Sequence, residues 1–210
     1  MYSIDITKER LDEQDKKIIA HVMRQEWKNK RCLILGSGEG RIAIILALFG
    51  FEVVCVDVDD YSDFYEKANK LFALKKPMKF IQSDIADHDA YAESGTFSLV
   101  LAQRVLHYLR HENARELLDF LPKLMIKNSY LYVAVSCIDS AMGEGYGGIG
   151  DPVDDRFSPL SEEMQDRFSL RVPVCLYRLK ELKTMMKDTH FKKQDLYQTS
   201  FMNIKGYYKL

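Results

Sequence analysis

Cysteine is scarce and unpatterned. Cys32, Cys55, Cys137 and Cys175 include no C-x-x-C pair, which argues against a zinc ribbon or a redox dithiol and leaves buried free thiols in a reducing compartment as the expectation. No apolar run approaches bilayer-spanning length, so no membrane span is predicted. The opening residues, MYSIDITKERLDEQDKK, carry charge where a secretory signal needs an apolar stretch, so the expected location is cytoplasmic. Neither sign of charge dominates, the net being −1; the overall basicity that marks many nucleic-acid binders is missing. There is no internal repeat or interdomain linker, and 210 residues suit one domain, 1–210, with a sizeable core. No grouping of histidines and carboxylates has metal-ligand spacing, and no metal is predicted.

What is present is concentrated in Arg31 to Asp60, RCLILGSGEGRIAIILALFGFEVVCVDVDD. A short apolar run meets Gly36, Gly38 and Gly40 at alternate positions, then a helical apolar stretch, Gly50, and a second apolar run that ends in Asp57. The pattern reads as strand, tight turn, helix, strand. Glycines suit a chain that reverses sharply while its backbone lies against a ligand, where a Cβ would block the approach. The helix opening at about Gly40 aims its free N–H groups at whatever lies over the turn. A carboxylate closing the next strand can accept from both hydroxyls of a ribose. The stretch therefore predicts a nucleoside-bearing cofactor. A dinucleotide fingerprint would place its last glycine where Arg41 stands, which disfavours an NAD-dependent oxidoreductase.

LILGSGEGR followed by VVCVD resembles the first two motifs of the class I S-adenosylmethionine-dependent methyltransferases. The resemblance extends through Asp84, at the end of the third predicted strand, and through Leu106-His107-Tyr108-Leu109 after the fourth, FSLVLA. It implies an α/β fold, a three-layer Rossmann-like sandwich whose mostly parallel seven-stranded sheet ends in an antiparallel hairpin strand. It also implies S-adenosyl-L-methionine as cofactor. Gly36, Ser37, Gly38 and Gly40 would hold it, with Asp57 and Val58 at the ribose and Asp84 and Ile85 at the adenine. Gln103, at the tip of the fourth strand, would meet its amino-acid portion or the substrate. Ser98 stands where the family has an acid, and Lys127-Asn128-Ser129-Tyr130 replaces its K-P-G-G turn.

Around this centre, apolar spacing predicts a leading amphipathic helix from about Thr7 to Lys28 within residues 1–30, and further helices over Phe64 to Leu74, Glu112 to Ile126 and Leu179 to Thr189. Pro122 is expected to kink or divide the helix over Glu112 to Ile126. Strands are expected at Met78 to Gln82 and Ser129 to Ile138, with a closing hairpin at Phe191 to Tyr197 and Phe201 to Tyr208. Residues 139–178 read as an inserted lid or substrate loop: five glycines lie between Gly143 and Gly150, and eight acids from Asp139 to Asp166 face Arg156 alone. Such a rim would attract a cationic or amine-bearing acceptor. His107 and Tyr146 are the candidate catalytic side chains, although methyl transfer from a sulfonium needs a base only when the nucleophile is protonated. The predicted function is methyl transfer to a small-molecule acceptor. Alternatives are an RNA or protein methyltransferase, suggested by the basic stretch from Arg171 to Leu210, and a regulatory protein that binds the cofactor without catalysis. Nucleic acid is disfavoured because no N-P-P-Y-like phrase follows the fourth strand; Ala102-Gln103-Arg104-Val105 stands there instead.

Overall fold

The structure, a computed structural model, describes residues 11–210. It contains seven strands in one sheet, ordered β3-β2-β1-β4-β5-β7-β6. The strands are β1 (Arg31–Leu35), β2 (Glu52–Asp57), β3 (Lys79–Gln82), β4 (Phe97–Gln103), β5 (Met125–Val135), β6 (Lys192–Gln198) and β7 (Ile204–Lys209). β1 pairs in parallel with β2 and β4, β2 with β3, and β4 with β5, whereas β7 runs antiparallel to both β5 and β6. This is the expected Rossmann-like sheet. The chain starts at the middle, builds outward to β3, and returns to β4 on the other side of β1. That reversal opens a crevice at the carboxyl ends of β1 and β4, where such sheets bind ligands.

Strand residues alternate between two helical layers. Cys32, Ile34, Val53, Cys55, Leu99 and Leu101 pack with Ile18 and Val22 of α1 (Glu13–Arg24), Ile42 and Leu46 of α2 (Arg41–Leu48), and Tyr65 of α3 (Ser62–Leu71). Leu33, Leu35, Val54, Val56, Val100 and Ala102 face the other side, near Tyr91 of the four-residue α4 (Asp89–Ala92). There they meet Leu117 and Leu118 of α5 (His111–Phe120), and Leu182, Met185 and Met186 of α7 (Leu179–Lys187). The alternation follows from the period of two along a strand, and burial on both faces explains the nearly continuous apolar runs. The sixth helix, α6 (Glu162–Phe168), belongs to the long connection between β5 and α7.

Several boundaries differ from the sequence expectation, three of them with a local cause. α1 begins at Glu13 because Asp12 caps it, accepting from the amides of Gln14 and Asp15 while Asp15 returns a bond to the Asp12 amide. The expected earlier turn, from Thr7, lies outside the described residues. The helix expected over Glu112 to Ile126 stops at Phe120, and Leu121–Leu124 form a 3-10 turn around Pro122, whose missing N–H cannot continue the ladder. β5 consequently starts at Met125 rather than Ser129. Its pairing with β4 slips between Phe97 and Leu99, where Asn128 takes a left-handed φ of 64°.

Candidate functional site

The turn after β1 has the geometry its glycines suggested. Gly36, Gly38 and Gly40 all have positive φ, at 65°, 51° and 60°. The amides of Gly36 and Ser37 donate to the Val56 carbonyl at 2.9 and 3.2 Å, and the Gly38 amide to Asp57 Oδ2 at 2.8 Å. Side chains would be excluded at the two ends of the turn for a second reason: a Cβ on Gly36 would lie 2.7 Å from Val105 Cγ2, and one on Gly40 would strike the Tyr65 hydroxyl. At Gly38 a Cβ would meet only open space. The centre of the bend is thus bare backbone facing outward, and Gly40 caps α2 immediately behind it.

Asp57 ends β2 beside this turn. Besides the Gly38 amide it accepts from the Asp59 amide at 3.1 Å; a carboxylate has about four lone-pair sites, so roughly two remain. The Ser83 amide donates to the Asp57 carbonyl at 2.9 Å, which ties the β3 tip to the β2 tip and brings exposed Asp84 into the same group. Asp84 Oδ1 takes the Ala86 amide. Val58, 65% exposed, lies beside Asp57 as a free apolar surface. The side chain of Ile85 is buried in the core and its carbonyl takes the Tyr91 hydroxyl, so of this predicted contact only the amide remains to offer. Ser37 Oγ is buried against Cys55 and Tyr65. An open bend and two carboxylates at neighbouring strand tips fit a nucleoside-bearing group laid across β1 to β3.

On the other side of the crevice, Gln103 donates from Nε2 to Gln14 Oε1 at 3.2 Å, and Gln14 in turn donates to the carbonyls of Val133 and Gly206 at 2.8 and 3.1 Å. Close by, Lys205 Nζ meets Asp12 Oδ2 at 2.7 Å. Burial pushes the Asp12 pKa up, but the Lys205 bond and the Asp15 amide outweigh it and hold the group below the ordinary range. Asp15 shifts the opposite way, raised by burial and by the charge on Asp12. Gln14 and Asp15 sit at buried positions on α1, where hydrophobic periodicity leaves polar residues unmarked.

Both catalytic candidates require correction. His107 is 2% exposed. Its Nδ1 accepts from the Ser136 amide at 3.4 Å, its carbonyl takes the Cys175 amide at 2.8 Å, and burial together with Arg104 pushes its pKa down to about 3. A neutral imidazole whose lone-pair nitrogen faces the backbone ties three segments together and is a poor proton acceptor. Tyr146 is 1% exposed, with its hydroxyl against the carbonyls of Arg156 and Val174, and burial raises its pKa to about 12. The long connection has its own small core of Ile138, Tyr146, Leu160, Met164, Val174 and Leu176. Arg156, 1% exposed, locks it to α7: Nη1 and Nη2 meet the two oxygens of Glu181 at 2.6 and 2.9 Å. Its acids, by contrast, lie exposed at the surface. A separate groove of ≈ 340 Å³ is lined by His111, Arg115, Asp154, Lys180 and Thr184, and none of the predicted site residues borders it.

Residues 33–133 match the family described as methyltransferase domain. Among solved structures, a 1,6-didemethyltoxoflavin-N1-methyltransferase of Burkholderia thailandensis, with bound 1,6-didemethyltoxoflavin and S-adenosylhomocysteine, superposes with a TM-score of 0.66. That match has 15% identity and covers 94% of this chain and 76% of that one. A magnesium protoporphyrin IX methyltransferase of Synechocystis PCC 6803, with bound S-adenosylmethionine, gives 0.64 at 15% identity over 94% and 78%. The N-methyltransferase NodS of Bradyrhizobium japonicum WM9 gives 0.56 at 11% over 94% and 97%. No curated protein matches the chain in sequence. Sheet order and domain match agree on one class: residues 33–133 carry a methyltransferase domain, and the fold is that of the class I S-adenosylmethionine-dependent methyltransferases. Two of these structures hold S-adenosylhomocysteine or S-adenosylmethionine.

Proposed function

We propose that the protein transfers a methyl group to a small-molecule acceptor seated beyond the tip of β4. The observation that carries the reading is the convergence at the carboxyl end of the sheet of the outward-facing bend at Gly38, Asp57, Asp84 and Gln103. Gly36, Ser37, Gly38 and Gly40 would cradle the cofactor's amino-acid end, Asp57 and Val58 would take the ribose and its surroundings, Asp84 and the Ile85 amide the adenine edge. When bound, the cofactor supplies an already activated methyl group. The chain's part is then to orient the acceptor in line with that group and to exclude water. No base is assigned: with His107 and Tyr146 both engaged in the fold, an acceptor nucleophile that is unprotonated at neutral pH fits best.

Support for a small acceptor comes from the neighbours with bound small molecules and from the near-zero net charge. The exposed acids of residues 139–166 support an acceptor that carries a cationic amine, drawn to the mouth by charge, at an atom other than the one that is methylated. We take this connection to be a lid or substrate loop within one domain, held to α7 through Arg156 and Glu181. Four buried free cysteines suit a cytoplasmic location, and among the described residues no helix is long and apolar enough to cross a membrane.

Calorimetry tests the reading first. S-adenosylhomocysteine should bind the wild-type protein, NAD should not, and Asp57→Ala should weaken S-adenosylhomocysteine by about tenfold or more. A screen of amines with methyl-labelled cofactor then tests transfer. Equal binding of both nucleotides, or unchanged affinity in Asp57→Ala, would remove the assignment.

A further inference from the structure

Arg104 follows the last residue of β4. Its backbone takes a left-handed φ of 56°, which a residue with a Cβ adopts only when its surroundings impose it. Its amide donates to the Ala134 carbonyl at 2.7 Å, which pins the residue between the tips of β4 and β5. The side chain is half-buried, and Nη1 is fully buried with no hydrogen-bond partner. A guanidinium cannot shed its charge to escape that situation. A buried donor left unmade is costly, so an acceptor is wanted at that point.

The neighbouring carboxylates do not supply it. Asp12 is bound to Lys205 and to the first amides of α1, and Asp15 returns to the Asp12 amide. The bond from its amide to the Ala134 carbonyl places Arg104 on the β5 side of the β4 tip, and both carboxylates and His107 feel its positive charge. The glycine turn follows β1, on the other flank of β4, and its Gly36 packs against Val105. Arg104 therefore stands at the β5 flank of the crevice, on the acceptor's half.

We propose that Arg104 is a carboxylate-recognising subsite for the acceptor, Nη1 and its neighbouring Nη2 receiving the two oxygens of a carboxylate. Such a fork is specific for planar anions. An acceptor drawn by the acidic rim and held by Arg104 would carry an amine and a carboxylate at different ends. The inference rests on the methyltransferase reading for the location of the two halves of the site.

The test uses the full chain saturated with S-adenosylhomocysteine. Formate, acetate and benzoate are titrated, each against its neutral amide, into wild type, Arg104→Gln and Arg104→Lys. In wild type at least one carboxylate should bind about tenfold more tightly than its amide, as expected of a charge-assisted pair. Arg104→Gln should abolish that preference, Arg104→Lys should retain part of it, and both should bind S-adenosylhomocysteine within about twofold of wild type. No preference for the carboxylate in any of the three pairs overturns the proposal. So does a preference that survives Arg104→Gln, or a tenfold loss of S-adenosylhomocysteine affinity in that variant, which would assign the guanidinium to the cofactor. Failure of wild type to bind S-adenosylhomocysteine at all would instead remove the methyltransferase reading.

Discussion

His107 shows how a single buried side chain can be mistaken for machinery. It lies just past the tip of β4, where a substrate-side residue is expected, yet its ring is enclosed and its Nδ1 is bonded to the Ser136 amide. Its pKa is about 3 when folded, against an ordinary 6.5. Between those values the unfolded chain binds the proton and the native protein does not, so stability is full above pH 6.5 and declines as pH falls toward 3. Urea unfolding at stepped pH from 7 to 4.5 should show this decline, with a slope approaching about 1.4 kcal/mol per pH unit from this group. His107→Gln should flatten it by about one proton and leave the pH profile of kcat without a change near 6.5. A kcat profile in wild type that falls with an apparent pKa near 6.5, and is lost in the variant, would restore His107 as a base. Among the glycines, Gly38→Ala is the informative change. It meets no neighbour but must adopt φ 51°, so stability should fall by about 1 kcal/mol in thermal melts, with a further loss in cofactor affinity if the bend lies against the ligand.

At the scale of elements, the connection between β5 and α7 is where packing overrode composition. Glycine density and acidity suggested a loose loop. The segment instead folds as consecutive turns around Tyr146 and Arg156, because a buried guanidinium gathers the carbonyls of Asp151 and Leu176 as well as Glu181. Burial pushes the Glu181 pKa up, but the Arg156 pair and the Arg178 amide outweigh it and hold the carboxyl below its ordinary 4.5. Its contribution is therefore present above pH 4.5 and lost as pH falls through the lower folded value. Breaking the pair by Glu181→Gln or Arg156→Met should cost about 3–5 kcal/mol, since either leaves a buried group without its partner. A chemical-denaturation midpoint shifted by less than a third of that would show that the pair is not what holds the segment. The leading helix is anchored in a related way. Gln14 bonds Val133, Gly206 and Gln103, and Gln14→Leu should loosen α1 and raise KM for the acceptor more than it lowers kcat. A variant with unchanged kinetics would leave α1 a packing element only.

For the whole molecule, the acidic rim and the basic carboxyl-terminal stretch nearly cancel, so long-range steering can come only from the local field of the mouth. If the rim draws an amine, kcat/KM on the true acceptor should fall as salt rises from about 20 to 300 mM, across which the screening length shortens severalfold. A flat dependence would leave those acids a solvated surface. What sequence alone determined is the central unit from β1 to Asp57 and the order of elements around it. Strand and helix periods, glycines at positive φ and an acid at a strand end are local demands that each residue type answers by itself. Tertiary structure decided which polar groups are buried and whom they meet. Gln14, Asp15 and Arg156 carry no periodic mark, because a polar residue at an inward position is stable only through its partners, and most of those become neighbours only when the chain folds.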